Sequence, residues 1–164
     1  MATAAEIIER PGQPYVAVKA RVTMKTISAI ADRFPEVFGW LGARGIAPAG
    51  PPFLKYDMID MARELEIEAG VPVAAPADGD GAVFSAVLPA GRYATLTHVG
   101  HPSGLYDATA RLLRWASEQG LAFDMSERDG AEQWAGRLEI YLTDPGQEPD
   151  MDKWETRLAF KLAG

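Results

Sequence analysis

The sequence has no cysteine in 164 residues, which excludes disulfides, zinc–thiolate centres and thiol nucleophiles. Histidine is nearly absent as well: the 2 present, His98 and His101, sit three apart in Thr97-His98-Val99-Gly100-His101. That pair reads as a strand end and a loop; a metal site would need further ligands from elsewhere, so none is expected. Basic charge is scarce: 16 Lys and Arg against 23 Asp and Glu give a net charge of −7. A chain this acidic lacks the basic face that nucleic acid or an anionic membrane would require, so neither is expected as a partner. No apolar run approaches the roughly 20 residues of a membrane span. The first residues, Met1 to Pro14, lack the basic start and apolar centre of a secretion signal. A cytoplasmic location is the default expectation.

What is present is a globular composition, 48% hydrophobic and 24% charged, of a length suited to one domain. Residues 15–22 are rich in β-formers and read as a strand. Thr26 to Arg44 carries helical spacing through Ile27, Ile30, Phe34, Val37, Phe38 and Leu41, with Pro35 expected to kink or divide it and Gly45 to stop it. Strands follow at 53–59 and 64–68, the second alternating strictly as Glu64-Leu65-Glu66-Ile67-Glu68. Residues 74–81 have a linker composition. The pattern then restarts: a strand at 93–99, a helix from an N-cap at Ser103 to about Gln119, and strands at 136–143 and 156–162.

Two phrases repeat. Gly39-Trp40-Leu41 to Ile46 parallels Arg114-Trp115-Ala116 to Leu121, and Phe53-Leu54-Lys55-Tyr56 parallels Leu138-Glu139-Ile140-Tyr141. A spacing this long predicts a duplicated half-domain rather than a solenoid. Three strands and one helix cannot bury both faces alone, so the halves should share one sheet.

Several segments are similar to the GyrI-like domains found in AraC-type and multidrug-responsive regulators. Glu66-Ile67-Glu68-Ala69-Gly70-Val71-Pro72-Val73 resembles the close of that family's first half. Leu88 to Ala94 and Thr97 to Leu105 resemble the opening of its second half, and Leu138 to Pro145 its terminal signature. The resemblance spans residues 14 to 163. It implies an α+β fold of duplicated strand–helix–strand–strand (SHS2-type) modules in one pseudo-twofold antiparallel sheet, helices on one face and a ligand cleft between. It also implies a single domain over residues 1–164, with module one at about 14–73, a linker at 74–87 and module two at 88–163. Relatives in multidrug regulators bind hydrophobic cations between aromatic walls and a carboxylate that matches Glu139. Some stand-alone relatives are hydrolases of reactive cyclopropane-type toxins, and one inhibits gyrase through a protein contact. No helix-turn-helix signature flanks the domain, so a one-component DNA-binding regulator is not expected.

Alternation puts Arg137, Glu139 and Tyr141 on one strand face and Leu138, Ile140 and Leu142 on the other. A carboxylate in an apolar cleft is costly unless paired or protonated, which suits it to anchoring a cation or acting as a general base. Glu139 is therefore the central candidate, with Tyr141 as its partner in binding or catalysis. Tyr56, in the equivalent place of the first half, is expected across the cleft, where two rings could hold a flat or cationic ligand. Trp134, Trp154 and Tyr106 are candidate rim residues; Trp40 and Trp115 read as helix–sheet packing. Glu64, Glu66 and Glu68 share a face that is either solvated or an acidic cleft wall, so Glu66 joins the candidate ligand contacts. That acidic face is also the only feature for a protein-interaction role. Nothing calls for a cofactor: there is no Gly-x-Ser-x-Gly elbow and no phosphate-cradling loop. The functions expected are binding of hydrophobic cationic or electrophilic small molecules, or hydrolysis of such electrophiles with Glu139 activating water. The sequence leaves oligomeric state open.

Overall fold

The computed structural model describes residues 2–164. Ten strands and three helices follow in the order β1 (Glu6–Arg10), β2 (Gln13–Val22), α1 (Ser28–Ala31), α2 (Phe34–Ala43), β3 (Phe53–Ile59), β4 (Leu65–Pro72), β5 (Phe84–Leu88), β6 (Gly91–Val99), α3 (Leu105–Glu118), β7 (Met125–Arg128), β8 (Ala131–Trp134), β9 (Arg137–Tyr141) and β10 (Glu155–Lys161). The strands form one antiparallel sheet ordered β1-β6-β10-β9-β3-β4-β2-β5, with the β7–β8 hairpin attached beside β3. The architecture is α+β.

The seam of the sheet is the β3–β9 pair, registered as Phe53 to Ile140, Leu54 to Glu139 and Lys55 to Leu138. Outward from it the strands run β4, β2, β5 on one side and β10, β6, β1 on the other. The links Pro11–Gly12 and Pro89–Ala90 join strands from opposite ends of this order. Two residues span little distance, so the sheet must curl until its edges approach.

Both faces of the sheet are apolar. On one, Val16, Val18, Ile67, Leu96 and Leu158 meet Ile30 of α1, Val37 and Leu41 of α2, and Ala108 and Leu112 of α3. On the other, Tyr15, Phe53, Leu88, Tyr93, Leu138 and Ile140 pack among themselves inside the curl. Gly70 shows how tight this inner layer is: a Cβ there would stand 2.6 Å from the Phe53 ring.

Some local expectations hold and others change. The helix expected over 26–44 is divided, and Pro35 falls in the first turn of α2, where its missing N–H costs no bond. Gly45 and Gly120 end α2 and α3 in left-handed backbone, with φ of 68° and 70°. Ser103 is not the α3 N-cap. It lies in a one-turn 3₁₀ segment whose backbone N–H donates to the His101 side chain, and Gly104 precedes α3 with no side-chain cap. The segment assigned to a linker holds β5, and Asp80 within it pairs with Arg44 at 2.6 Å. Residues 6–10, left without structure by the sequence reading, form β1 along β6. The β7–β8 hairpin turns on Asp129 and Gly130, both at positive φ, an Asp-Gly signature legible in the sequence.

Candidate functional site

Helices α1 and α2 pack on β2 and β4, and α3 packs on β6. The seam strands β3 and β9 are thereby left bare on the helix-bearing face. Above them lies a cavity of about 500 Å³, walled by Ile27 and Ala31 on one side and by Leu105, Thr109 and Leu113 on the other. Its floor is Leu54, Tyr56, Arg137, Glu139, Tyr141 and Phe160. Met24, Met61 and Tyr106 stand at the mouth, all exposed, Tyr106 at 76%. An apolar cavity with thioethers at the mouth can adapt to ligands of different shape.

Glu139 is the acid of this floor. Its register partner is Leu54, so the carboxylate rises from apolar surroundings. The Tyr141 hydroxyl donates to Glu139 Oε1 at 2.9 Å, and Tyr56 on the facing strand also favours the charged form of the carboxylate. Phe34 at the start of α2 packs edge-on against the Tyr141 ring, with centroids 6.1 Å apart. Burial pushes the Glu139 pKa up; the bonds from Tyr141 and Tyr56 and the charge of Arg137 pull it down without cancelling burial. The side chain keeps a little accessible surface. Glu139 lines the cavity. Both tyrosines are driven well above their ordinary pKa, by burial first and then by the Glu139 charge, so they remain donors.

Arg137 forms no contact ion pair with Glu139. Its guanidinium lies over Trp134 at 4.7 Å and over Phe160 at 4.6 Å, and reaches Glu132 at 3.9 Å. The aromatic faces hold the cation aside. Among the described residues Glu139 is therefore left with the Tyr141 donor and no cation in contact.

Of the residues singled out from sequence, Glu139, Tyr141, Tyr56 and Tyr106 come together at this cavity. Trp134 does not line it: the side chain is 7% exposed, packs on Phe123 and Phe160, and donates to Glu132. Its part is to seat Arg137. Trp154 is absent from the lining too, donating to the Glu148 carbonyl at 2.8 Å. Glu66 lies on the other face of the sheet and pairs with Lys19 at 3.1 Å and Arg21 at 3.5 Å. The acidic strand is thus neither a cleft wall nor a free acidic surface.

Glu68, on that same face, is buried at 3%. A bulge in β3 at Asp57 turns that carboxylate towards Lys55 and Glu68. Tyr15 donates to Glu68 at 2.5 Å, Lys55 pairs with both carboxylates, and Lys19 lies 3.3 Å from Asp57. Burial and the shared hydrogen bond with Asp57 push Glu68 up to about 7. Asp57 is held below its ordinary value: burial opposes this, but the bond from Glu68 and the ammonium of Lys55 outweigh it.

Sequence reasoning missed Met24, Met61 and Leu113 as lining residues, and Arg137 as a component of the floor. Arg137 had a signal, since it shares a face with Glu139; an exposed methionine in a polar turn, as at Met61, was a weaker one. Among the described residues no cluster of His, Asp and Glu is arranged to hold a metal, and no helix is long and apolar enough to cross a membrane.

The model of the GyrI-like small molecule binding domain family matches residues 3–163. No curated protein matches the sequence. Among solved structures, EcmrR in a complex with DNA superposes with a TM-score of 0.78 at 18% identity, covering 97% of this chain and 57% of that one. The chain therefore spans little more than half the length of EcmrR, and the EcmrR C-terminal domain alone aligns over 98% and 97% of the two chains, with TM-score 0.71 and 18% identity. SAV2435 bound to tetraphenylphosphonium gives a TM-score of 0.66 at 10% identity over 99% and 95%. A hydrolase from Listeria innocua gives 0.58 at 15% over 97% and 91%. At such identities the likeness establishes the fold alone.

Proposed function

The chain belongs to the GyrI-like small molecule binding domain family, and from that premise we propose that its cavity binds hydrophobic cations, with Glu139 as the counter-charge. The observation that carries this reading is the state of Glu139: a cavity-lining carboxylate bonded by the Tyr141 phenol, with Arg137 parked on Trp134 and Phe160 instead of against it. An enclosed charge without an ion partner is costly, and a bound cation would relieve that cost. Tyr56 and Tyr141 would offer ring faces to the cation, and Met24, Met61 and Tyr106 would cover its apolar body. SAV2435, bound to tetraphenylphosphonium in its own structure, has the same fold, which makes that cation a sensible first probe. Calorimetric titration with tetraphenylphosphonium tests the reading; no saturable binding at pH 8 would count decisively against it.

Hydrolysis of an electrophile at the same carboxylate is the second reading. It is favoured by the raised pKa of Glu139 and by its Tyr141 donor, which suit a general base with an adjacent acid. Turnover of a strained electrophile that survives Glu139→Ala would remove it. We also infer that the sheet arose from two copies of a strand–helix–strand–strand module. The mirrored order about β3–β9, with Tyr56 and Tyr141 at matching distances from the seam, supports this.

A further inference from the structure

A second cavity, of about 170 Å³, lies on the opposite face of the sheet from Glu139. Its apolar wall is Phe53, Leu138 and Ile140, residues of the inner core layer. Arg10 from β1 and Arg157 from β10 complete it. Among the described residues neither arginine has an acidic partner, and both are half-buried. The other cations without an acid, Lys25, Arg92, Arg111, Arg114 and Arg128, are all exposed. In a chain with 23 acids and 16 bases, leaving these two guanidiniums unpaired in a partly dry place runs against the usual pairing of enclosed charge. Arg10 rests over the Tyr93 ring at 5.7 Å. Its pKa is lowered by burial, with the Tyr93 hydroxyl opposing and the charge of Arg157 adding to the fall. The two side chains therefore feel each other's charge, which an anion between them would offset.

We propose that this cavity binds a small organic carboxylate, its charge held by Arg10 and Arg157 and its apolar body seated on Phe53, Leu138 and Ile140. The guanidinium fork suits a carboxylate, which it can bond through both oxygens. The volume is below the roughly 300–1,000 Å³ usual for drug-sized ligands, so the occupant is a fragment with one ring or a short chain. The site shares no lining residue with the Glu139 cavity, and the proposal stands apart from the cation reading.

Calorimetric titration of the full chain with benzoate, its neutral isostere benzamide, and inorganic phosphate tests it. Benzoate is expected to bind at one saturable site, with benzamide and phosphate each at least tenfold weaker. Arg157→Gln and Arg10→Gln should each weaken benzoate about tenfold to hundredfold, the usual loss of a charge-assisted bond. Glu139→Gln should leave benzoate within about twofold. The two arginines stand on different strands, so if one variant loses its folded circular dichroism spectrum the other still decides. Absence of benzoate binding, benzoate binding that both arginine variants retain, or binding lost only in Glu139→Gln would overturn the proposal. Phosphate binding as tight as benzoate would overturn the carboxylate assignment.

Discussion

Replacing Glu139 by Gln removes one negative charge from the cavity floor while keeping the side chain's shape and an oxygen for Tyr141 to bond. A cation lodged about 5 Å from that carboxylate, at the effective dielectric of about 20 that suits protein sites, gains about 3 kcal/mol from it. Two effects reduce the figure. Arg137 bears on the same floor with opposite sign, and burial disfavours the charged form of Glu139. A loss of about 1.5–3 kcal/mol is expected, roughly ten- to 150-fold in Kd. The assay is calorimetric titration at pH 8 with tetraphenylphosphonium, and with triphenylphosphine oxide as a neutral body of similar shape. The neutral compound should change by less than threefold. A second signature comes from pH. Deprotonated Glu139 is the binding form, so wild-type affinity for the cation should rise with pH through a range above that of an ordinary glutamate, while the Gln variant stays flat. Equal losses for the cation and the neutral compound would refute the electrostatic argument, and so would a cation loss below threefold.

Three further outcomes test the surrounding structure. Tyr141→Phe removes the 2.9 Å donor that lowers the Glu139 pKa, so the pH midpoint for cation binding should move upward; a downward move would contradict the assignment of donor and acceptor. Glu68 titrates at about 7 in the folded chain against an ordinary 4.5, so its stabilisation is complete below about pH 4.5 and is lost as pH rises through 7. Asp57, with its lowered pKa, contributes oppositely, losing its share as pH falls. Between pH 5 and 8 Glu68 governs: thermal midpoints should decline with pH in the wild type and decline less in Glu68→Gln, which keeps an acceptor for Tyr15, and equal slopes would count against it. Gly70→Ala puts a methyl 2.6 Å from the Phe53 ring and 3.2 Å from Tyr15, so urea denaturation should show about 1–3 kcal/mol of destabilisation; a neutral result would mean the inner layer has slack.

Much of the site was legible in the chain. The alternation from Arg137 to Leu142 is local and has a period of two, so it assigned Glu139 and Tyr141 to one face whatever the rest of the fold did. The helix expected from 103 to 119 is present as α3 and buries Ala108, Leu112 and Ala116 at helical spacing. The same reasoning could assign Glu66 and Glu68 to a common face but could not say what that face would meet. It met Lys19, Arg21 and Lys55, because β4 pairs with β2 and β3.

Tertiary structure decided the remainder. Leu54 opposite Glu139 sets the β3–β9 register, and a slip of one residue would have sent Tyr56 to the other face. The bulge at Asp57 has no signature in composition, yet it creates the buried carboxylate pair. The cavity exists because α1 and α2 pack on β2 and β4 while α3 packs on β6, leaving β3 and β9 uncovered. Side-chain periodicity depends only on neighbouring residues, so which residues share a face could be read from the chain alone. Which face is enclosed, and by what, depends on strands far apart in the chain, and only the folded sheet brings those together.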